Sequence, residues 1–251
     1  MQTKVKTTKE IADMRKSGRI LALVLKRLKT EVVAGITTKE LSSIALEELK
    51  KLGGKPVFLG YHGFPDVLCV SVNEEVVHGI PSSQKKLNDG DIVSLDLGVN
   101  YGGMITDSAI SLIFGKLKNK TSEKLLECTK RALETGINIV KDGVRVGDIA
   151  AAIQKTIEQE GYGVVRELVG HGVGHQLHEE PNIPNYGHSG TGQMLKKGMT
   201  IAIEPMTTLG SYDVYTAPDG WTVRTRDNSL SAHYEHTVLI TQTGSEILTA
   251  L

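Results

Sequence analysis

The chain of 251 residues is 39% hydrophobic and 23% charged, with 29 basic residues against 29 acidic ones. This composition indicates a globular protein with a core, and zero net charge argues against broad attraction to nucleic acid or a membrane surface. No segment approaches the roughly 18 apolar residues of a transmembrane helix, and ILALVL at 20–25 is too short for a signal peptide. The only cysteines, Cys69 and Cys128, lie far apart. We therefore expect a cytoplasmic protein.

Amphipathic helices are predicted in two pairs. Residues 8–31 carry apolar side chains at helical spacing. The next helix begins with Thr37 and Glu40 in the positions of a capping box and ends at Gly53-Gly54. Two later helices are predicted over residues 121–141 and 147–161. Strand-like segments follow each pair.

The segment DLGVNYGGMITD, residues 96–107, predicts a β-hairpin with an acid on each strand. Asp96 and Asp107 are equidistant from Tyr101-Gly102, so a regular hairpin makes them direct cross-strand partners with Cβ atoms about 5 Å apart. Their apolar neighbours indicate burial rather than a solvated hairpin. Two ionised carboxylates at that distance repel each other, so either a cation lies between them or one stays protonated.

The two halves of the chain are related by a constant shift of 108 residues. Gly35 corresponds to Gly143 under this shift, and the strand ending at Asp96 corresponds to the strand ending at Glu204. One offset aligns both a helix and a strand, which indicates repeated structure rather than chance. We expect an α+β fold in which each half sends an acid inward from a curved sheet with helices on one side.

The segment GHGVGHQLHEEP, residues 170–181, concentrates metal-capable side chains on a glycine-rich backbone. Its glycines would each weaken a helix by up to about 1 kcal/mol, so an extended conformation is predicted. Alternation along a strand would place His171 and His175 on one face and His178 on the other.

Two more acids occur in strand-like segments. Glu204 interrupts the mostly apolar TIAIEPM with no basic residue nearby, where an unpaired charge would be costly. Glu235 lies between His233 and His236 at the start of a β-branched run, which is a weaker signal.

Charge balance favours two divalent cations among these acids. Four carboxylates carry four negative charges, and their strand segments contain no Lys or Arg. Oxygen-rich ligands with one imidazole suit a dinuclear site rather than a structural zinc, which prefers Cys and His. Calcium is the competing ion, but the acids lack the single-loop spacing of an EF-hand.

The motifs YHGFP, SVNEEVVHGIP, DLGVNYGGMITDS, GHGVGHQLHEEP, IAIEPM and HYEHTV, in this order, closely resemble those of type I methionine aminopeptidases over nearly the whole chain. The resemblance implies the pita-bread fold, with residues 1–251 as one catalytic domain and pseudo-repeat halves at about 8–116 and 117–251. It implies metal-dependent removal of the initiator methionine from nascent proteins and peptides with a small second residue. It also implies a monomer, and the lysines of residues 4–16 raise the question of ribosome contact.

The same resemblance implies roles for individual residues. Two ions, Mn, Fe or Co, would be bound by five ligands: Asp96, Asp107, His171, Glu204 and Glu235. Asp107 and Glu235 would serve both ions, and Glu204 would also shuttle the proton of the attacking water. His78 and His178 would contact the substrate, whereas His175 is expected to be structural or peripheral.

A methionine pocket is implied as well. The positions that line or border it in similar proteins hold Tyr61, His62, Phe64, Cys69 and Trp221. Phe58 and Leu177 depart from residues common in the family, but both keep the wall apolar.

Three alternatives remain at this stage. An X-Pro peptidase of the same fold would usually carry an additional N-terminal domain. A catalytically dead scaffold that binds protein or RNA would usually have lost metal ligands, and all five are present here. A metal-stabilised structural protein would show no turnover.

Overall fold

The computed structural model describes residues 4–31, 35–116 and 119–251. Its helices are α1 (Thr8–Glu31), α2 (Thr38–Leu52), α3 (Lys120–Asn138) and α4 (Val146–Glu158), with a 3-10 turn at Tyr61–Gly63. Its strands are β1 (Lys55–Pro56), β2 (Cys69–Val72), β3 (Glu75–Val77), β4 (Ile92–Tyr101), β5 (Met104–Ile113), β6 (Gly163–Val164), β7 (Gly170–Gly172), β8 (Glu179–Ile183), β9 (Thr200–Ile203), β10 (Met206–Thr208), β11 (Val214–Thr216), β12 (Val223–Thr225), β13 (Ser231–His233), β14 (His236–Ile240) and β15 (Ser245–Ile247). Among the described helices, none has both the length and the apolar character needed to cross a bilayer.

The first two helices match their predicted limits. At the start of α2, the Thr37 side chain accepts a hydrogen bond from the Glu40 N–H, and the Glu40 carboxylate accepts from the Thr37 N–H at 2.7 Å. This reciprocal pair is the predicted capping box. The helix ends with Gly53 in the left-handed conformation, φ 76°, a common glycine-dependent helix stop.

The second pair of helices ends earlier than predicted. Helix α3 stops at Asn138 rather than at 141, because the N–H groups of Asp142 and Gly143 bond to the carbonyls of Thr241 and Leu195 in the sheet. Helix α4 stops at Glu158 rather than at 161. Contacts with the sheet and tight turns therefore override the apolar periodicity at these ends.

Backbone bonds recur at the spacing of 108 residues. Thr37 forms an isolated bridge with Lys86, and Arg145 forms the corresponding bridge with Met194. The Leu87 N–H likewise bonds the Ile36 carbonyl, and the Leu195 N–H bonds the Val144 carbonyl. The predicted division at 116/117 falls next to residues 117–118, which lie outside the described residues, and it stays a prediction.

All strand pairs within the described ranges are antiparallel. In the first half, β4 pairs with β1, β2 and β5, and the second half contains a five-stranded sheet in the order β15-β14-β9-β7-β8. Two smaller sheets have the orders β13-β10-β6 and β11-β12-β3. Ala109 and Glu235 exchange backbone hydrogen bonds of 2.9 and 3.3 Å. Strand β5 therefore lies against the segment between β13 and β14, and the two halves meet there.

Alternation along the strands separates the helical cores from the opposite face of the sheet. Leu95 and Leu97 of β4 pack in one cluster with α1 and α2, while Ile201 and Ile203 of β9 pack in another with α3 and α4. Ala202, between those isoleucines, belongs to a third cluster that includes Phe58, Phe64 and Leu177. Residues in phase with Ala202 therefore face away from the helices.

The hairpin of β4 and β5 differs from its predicted register. Its two turn residues are Gly102 and Gly103, both at positive φ (62° and 88°), so Asp107 lies opposite Gly98 and Asp96 lies opposite Ala109. The prediction that the aspartates are direct partners was wrong, because the turn is centred one residue later. They are diagonal neighbours, but both still face the same side of the sheet.

The capping box gives a test of the fold. We expect Thr37→Ala to lower the free energy of unfolding by about 1 kcal/mol, because the N–H of Glu40 loses its partner. Thr135→Ala in α3 is the matched control, since the Thr135 hydroxyl only bonds the Arg131 carbonyl within its own helix. Urea unfolding of both variants checks this, and an equal effect of the two would contradict the role of the cap.

Candidate metal centre and cavity

Five predicted ligands converge from separate strands. Asp96 and Asp107 come from the shared face of β4 and β5, His171 is the middle residue of β7, Glu204 directly follows β9, and Glu235 lies between β13 and β14. Side-chain ligand atoms of Asp107, His171 and Glu235 all lie within 4.8 Å of one another. Glu204 joins them through its Oε1, which is 3.4 Å from His171 Nε2.

The glycines beside His171 let its strand pass between two neighbours. A Cβ on Gly170 would lie 2.4 Å from the Ala202 carbonyl oxygen, and one on Gly172 would lie 2.3 Å from the Glu180 carbonyl oxygen. Strand β7 pairs with both β8 and β9 at this point. No residue with a side chain fits without displacing a backbone, so the glycine-rich sequence sets the depth of the imidazole.

The protonation of His171 follows from its hydrogen bond. Its Nδ1 lies 2.9 Å from the Gly172 carbonyl oxygen, which can only accept, so Nδ1 carries the hydrogen. Burial lowers the pKa of His171 to about 3, so the ring is neutral and Nε2 presents a lone pair. A lone pair facing the Glu204 carboxylate at 3.4 Å is repulsive unless a cation or a proton lies between them.

The carboxylates of the cluster are buried without the partners that buried charges need. Asp96 Oδ1, Asp107 Oδ1 and Glu235 Oε1 have no hydrogen-bond partner, and no Lys or Arg forms an ion pair with them among the described residues. Burial raises the pKa of Asp107 to about 7. Burial, followed by the charges of neighbouring acids, raises the pKa values of Asp96, Glu204 and Glu235 well above their usual range.

Buried acids elsewhere in the chain have a lysine. Asp66 accepts a 2.6 Å bond from Lys39, and Glu75 pairs with Lys85. The contrast shows that the cluster lacks positive charge that the rest of the molecule supplies to its acids. Unpartnered oxygens with an imidazole lone pair are the donors that divalent cations take, so these residues fit a divalent metal ion.

One residue beside the cluster was missed in the sequence. His233 Nε2 lies 3.7 Å from Glu204 Oε2 and 4.0 Å from Glu235 Oε2, and neither ring nitrogen has a hydrogen-bond partner in the part of the chain that the structure describes. Burial lowers the pKa of His233 to about 3. Its position two residues before Glu235 was the available signal, because residues i and i+2 share one face of an extended chain.

The three histidines of residues 170–181 do not alternate as predicted. Strand β7 ends at Gly172, so strand parity does not extend to the others. The rings of His171 and His178 pack edge-to-face, with centroids 4.3 Å apart, and the prediction of opposite faces was wrong. His178 Nδ1 lies 2.8 Å from the Tyr61 hydroxyl. His175 is exposed and its Nε2 lies 2.7 Å from Glu10 Oε1, away from the cluster.

A cavity with an apolar wall opens onto the cluster. Its walls are Phe58, Tyr61, Phe64, Cys69, Leu177 and Trp221, and its polar end contains His78, His178 and the five predicted ligands. Phe64 packs edge-to-face on Trp221 with centroids 5.1 Å apart. Burial and the nearby Asp96 raise the pKa of Cys69, which keeps it a thiol. His62 is not among the lining residues; it is exposed and packs edge-to-face with Tyr61.

His78 lies where the cavity meets an outer groove. It lines both, together with His171, His178 and Glu204, and the groove continues past Gln176. Its backbone has φ 59°, a sparsely populated conformation for a non-glycine residue. Burial lowers the pKa of His78 to about 4, so its imidazole is neutral near pH 7.

Comparisons with known proteins agree on one family. The sequence profile of metallopeptidase family M24 matches residues 12–242. Methionine aminopeptidase 1 of Bacillus subtilis (strain 168) is 50% identical over 244 residues, covering 97% of this chain and 98% of the relative. The methionine aminopeptidase of Clostridium perfringens is 47% identical over 247 residues, covering 98% of each chain.

Solved structures confirm the predicted fold. The crystal structure of methionine aminopeptidase from Thermotoga maritima has a TM-score of 0.98 at 46% identity and covers 100% of both chains. Prolidase from Pyrococcus furiosus has a TM-score of 0.80 at 24% identity over 98% of this chain and 65% of that one, which shows a shared fold alone. The chain therefore belongs to metallopeptidase family M24 and, within it, to the methionine aminopeptidases.

Proposed function

We propose that this enzyme removes the N-terminal methionine from peptides and nascent proteins whose second residue is small. The observation that carries the proposal is the position of the carboxylate and imidazole cluster at the end of an apolar, aromatic cavity. An unbranched thioether side chain suits such a wall, and the cluster lies where the scissile bond of the bound residue would be.

We assign the cluster to two divalent ions, with Mn, Fe or Co as candidates. Asp96, Asp107 and Glu235 would hold one ion, and His171 and Glu204 would complete the second site with shared oxygens of Asp107 and Glu235. Two divalent charges balance four carboxylates. When bound, the ions would supply an activated water at neutral pH and an electrophile for the carbonyl oxygen.

Glu204 is the proposed carrier of the proton. Its carboxylate is flanked by nitrogens of two neutral histidines, with Oε1 3.4 Å from His171 Nε2 and Oε2 3.7 Å from His233 Nε2. Burial raises its pKa, so it accepts a proton more readily than an exposed glutamate. It would take the proton from the attacking water and deliver it to the departing amine.

His178 and His78 would orient the peptide. Burial and the nearby His62 lower the pKa of His178, so its ring is neutral. If the Tyr61 hydroxyl donates to His178 Nδ1 across 2.8 Å, the ring hydrogen is on Nε2 and can donate to the scissile carbonyl. His78, at the junction with the outer groove, would bond the backbone nitrogen after the scissile bond.

The remaining assignments concern the cellular setting. We propose a monomer that acts in the cytoplasm, where initiator methionines emerge, and that works close to the ribosome. Exposed lysines before and on α1, Lys4 and Lys16, are the groups that would face ribosomal RNA.

The substrate assignment predicts a selective release. With added Mn²⁺, we expect free methionine from Met-Ala-Ser, no product from an Ala-Pro peptide, and no turnover of either after chelation. The apolar wall would make contacts with an unbranched thioether side chain that the methyl group of alanine cannot reach, which is the physical reason for the selectivity. Release from the Ala-Pro peptide alone would favour an X-Pro peptidase instead.

The ligand assignment predicts a loss of metal affinity in Asp107→Asn. Because Asp107 is proposed to touch both ions, we expect Mn²⁺ affinity to fall at least 10-fold to 100-fold, the size seen when even supporting groups of metal sites are removed. Titration calorimetry with Mn²⁺, on protein made metal-free with a chelator, measures this affinity. Glu47→Gln, an exposed acid on α2, is the control and should bind Mn²⁺ as the native protein does. Native Mn²⁺ affinity in Asp107→Asn would contradict the assignment of Asp107 as a metal ligand.

The raised pKa of Asp107 predicts that the stability of the metal-free protein depends on pH. Burial raises the pKa of Asp107 from 3.8 to about 7. The unfolded chain therefore releases this proton at lower pH than the folded chain, and stability is lost as pH rises from about 4 to about 7. Asp107→Asn has no carboxyl group to ionise at this position, so it should lose less stability as pH rises. Relative to the native protein, its free energy of unfolding should increase by a few kcal/mol across that window. Urea unfolding in EDTA at pH 5 and pH 7.5 measures the gain, and a pH-independent difference would contradict it.

A further inference from the structure

We propose that Lys6, which lies outside the cavity, is a positioning residue for His178. Its ion pair with Glu179 holds the loop of residues 173–179 against the N-terminal segment. The inference rests on the proposed function, in which His178 contacts the substrate.

Lys6 is a buried charge with one anchoring partner. The residue is 4% exposed and its side chain is fully enclosed, with Nζ 2.7 Å from Glu179 Oε2. Its backbone N–H bonds the Gly198 carbonyl at 2.8 Å, which fixes the segment to the turn before β9. Burying an ammonium is costly unless a well-placed anion accompanies it, so this pair has a fixed geometry.

Glu179 connects that anchor to the loop. Its second oxygen, Oε1, accepts hydrogen bonds from the backbone N–H groups of His175 at 2.7 Å and Gln176 at 3.1 Å. Glu179 directly follows His178 in sequence. One carboxylate therefore closes the turn and binds it to Lys6, and the backbone of His178 lies between the two attachment points.

Two further contacts join the same pair of segments. Gly174 gives the lysine stem its path, because a Cβ there would lie 2.4 Å from Lys6 Cε, and its φ of 149° suits glycine. Glu10, in the first turn of α1, lies 2.7 Å from His175 Nε2 through its Oε1. That contact is exposed and contributes less than the enclosed pair.

The His178 side chain needs this support because the residue remains exposed although part of its ring is buried. Its ring contacts the Tyr61 hydroxyl at 2.8 Å and packs edge-to-face with His171, with ring centroids 4.3 Å apart. Its direction therefore depends on the backbone of the loop. A shift of about 1 Å in a group that orients substrate can lower turnover 100-fold.

The test replaces the ammonium with an apolar group of similar length, Lys6→Met. We expect kcat/KM for Met-Ala-Ser to fall roughly 10-fold to 100-fold, with Mn²⁺ affinity within about threefold of native, because no proposed ligand belongs to the loop. Amide exchange at His175 and Gln176 should become faster in metal-free protein. Adding His178→Ala to Lys6→Met should lower kcat/KM less than His178→Ala does alone, since both changes remove the same contact.

Lys9→Met is the matched control. Lys9 lies three residues further along, its side chain is 86% exposed, and it pairs with Asp13 on α1. We expect native kcat/KM, Mn²⁺ affinity and amide exchange in this variant. If Lys6→Met fails to fold, the same measurements are made on the double variant Lys6→Met/Glu179→Gln. This variant removes both charges of the pair, so neither is left buried without its partner.

The outcomes separate the two proposals. Native kcat/KM and native amide exchange in Lys6→Met, or in the double variant, would overturn the role of Lys6. An equal fall in Mn²⁺ affinity and kcat/KM, or fully multiplicative effects with His178→Ala, would overturn it in favour of a general structural role. If the native enzyme releases no methionine, the proposed function fails, while the exchange measurement still decides whether Lys6 fixes the loop.

Discussion

Mutual repulsion among buried carboxylates is the constraint on which the site depends. Asp96, Asp107 and Glu235 are buried in the sheet, and Glu204 joins them without a Lys or Arg among the described residues to offset their charge. Buried acids elsewhere, such as Asp66, have a lysine. Burial raises the pKa values of all four acids, and neighbouring negative charges add to the rise in Asp96, Glu204 and Glu235, so protonation relieves the repulsion in the metal-free chain. Divalent cations would relieve it without protons, so metal binding and the ionisation of the cluster are one equilibrium.

The two-halved fold brings the acids together. Each half packs its own helices on one face of a strand and points an acid from the other face, Asp96 in the first and Glu204 in the second. The halves join where Ala109 and Glu235 exchange backbone bonds, and the cluster lies at that junction. Strand β7, whose glycines let it pass between β8 and β9, contributes His171 to the cluster. The aromatic wall lies beside the cluster, which places the proposed hydrolytic centre next to a side-chain pocket.

Much of this was predictable from local and repeated patterns in the sequence. Helix α2 was predicted from its capping box, and the shift of 108 residues indicated related halves before any contact was known. The predictions that were wrong depended on where a turn is centred and where a strand ends. The hairpin turn is centred one residue later than symmetry around Tyr101-Gly102 suggested, and His178 lies beside His171 because the strand ends early. The pair of Lys6 and Glu179 spans 173 positions, and no local pattern indicates such a contact.

Anomalous diffraction from crystals grown with excess Mn²⁺ tests the central claim most directly. The account predicts two anomalous peaks about 3.5 to 4 Å apart, with oxygens of Asp107 and Glu235 reaching both peaks and His171 Nε2 reaching one. Acidic side chains turned away from one another, with no anomalous density among them, would contradict it.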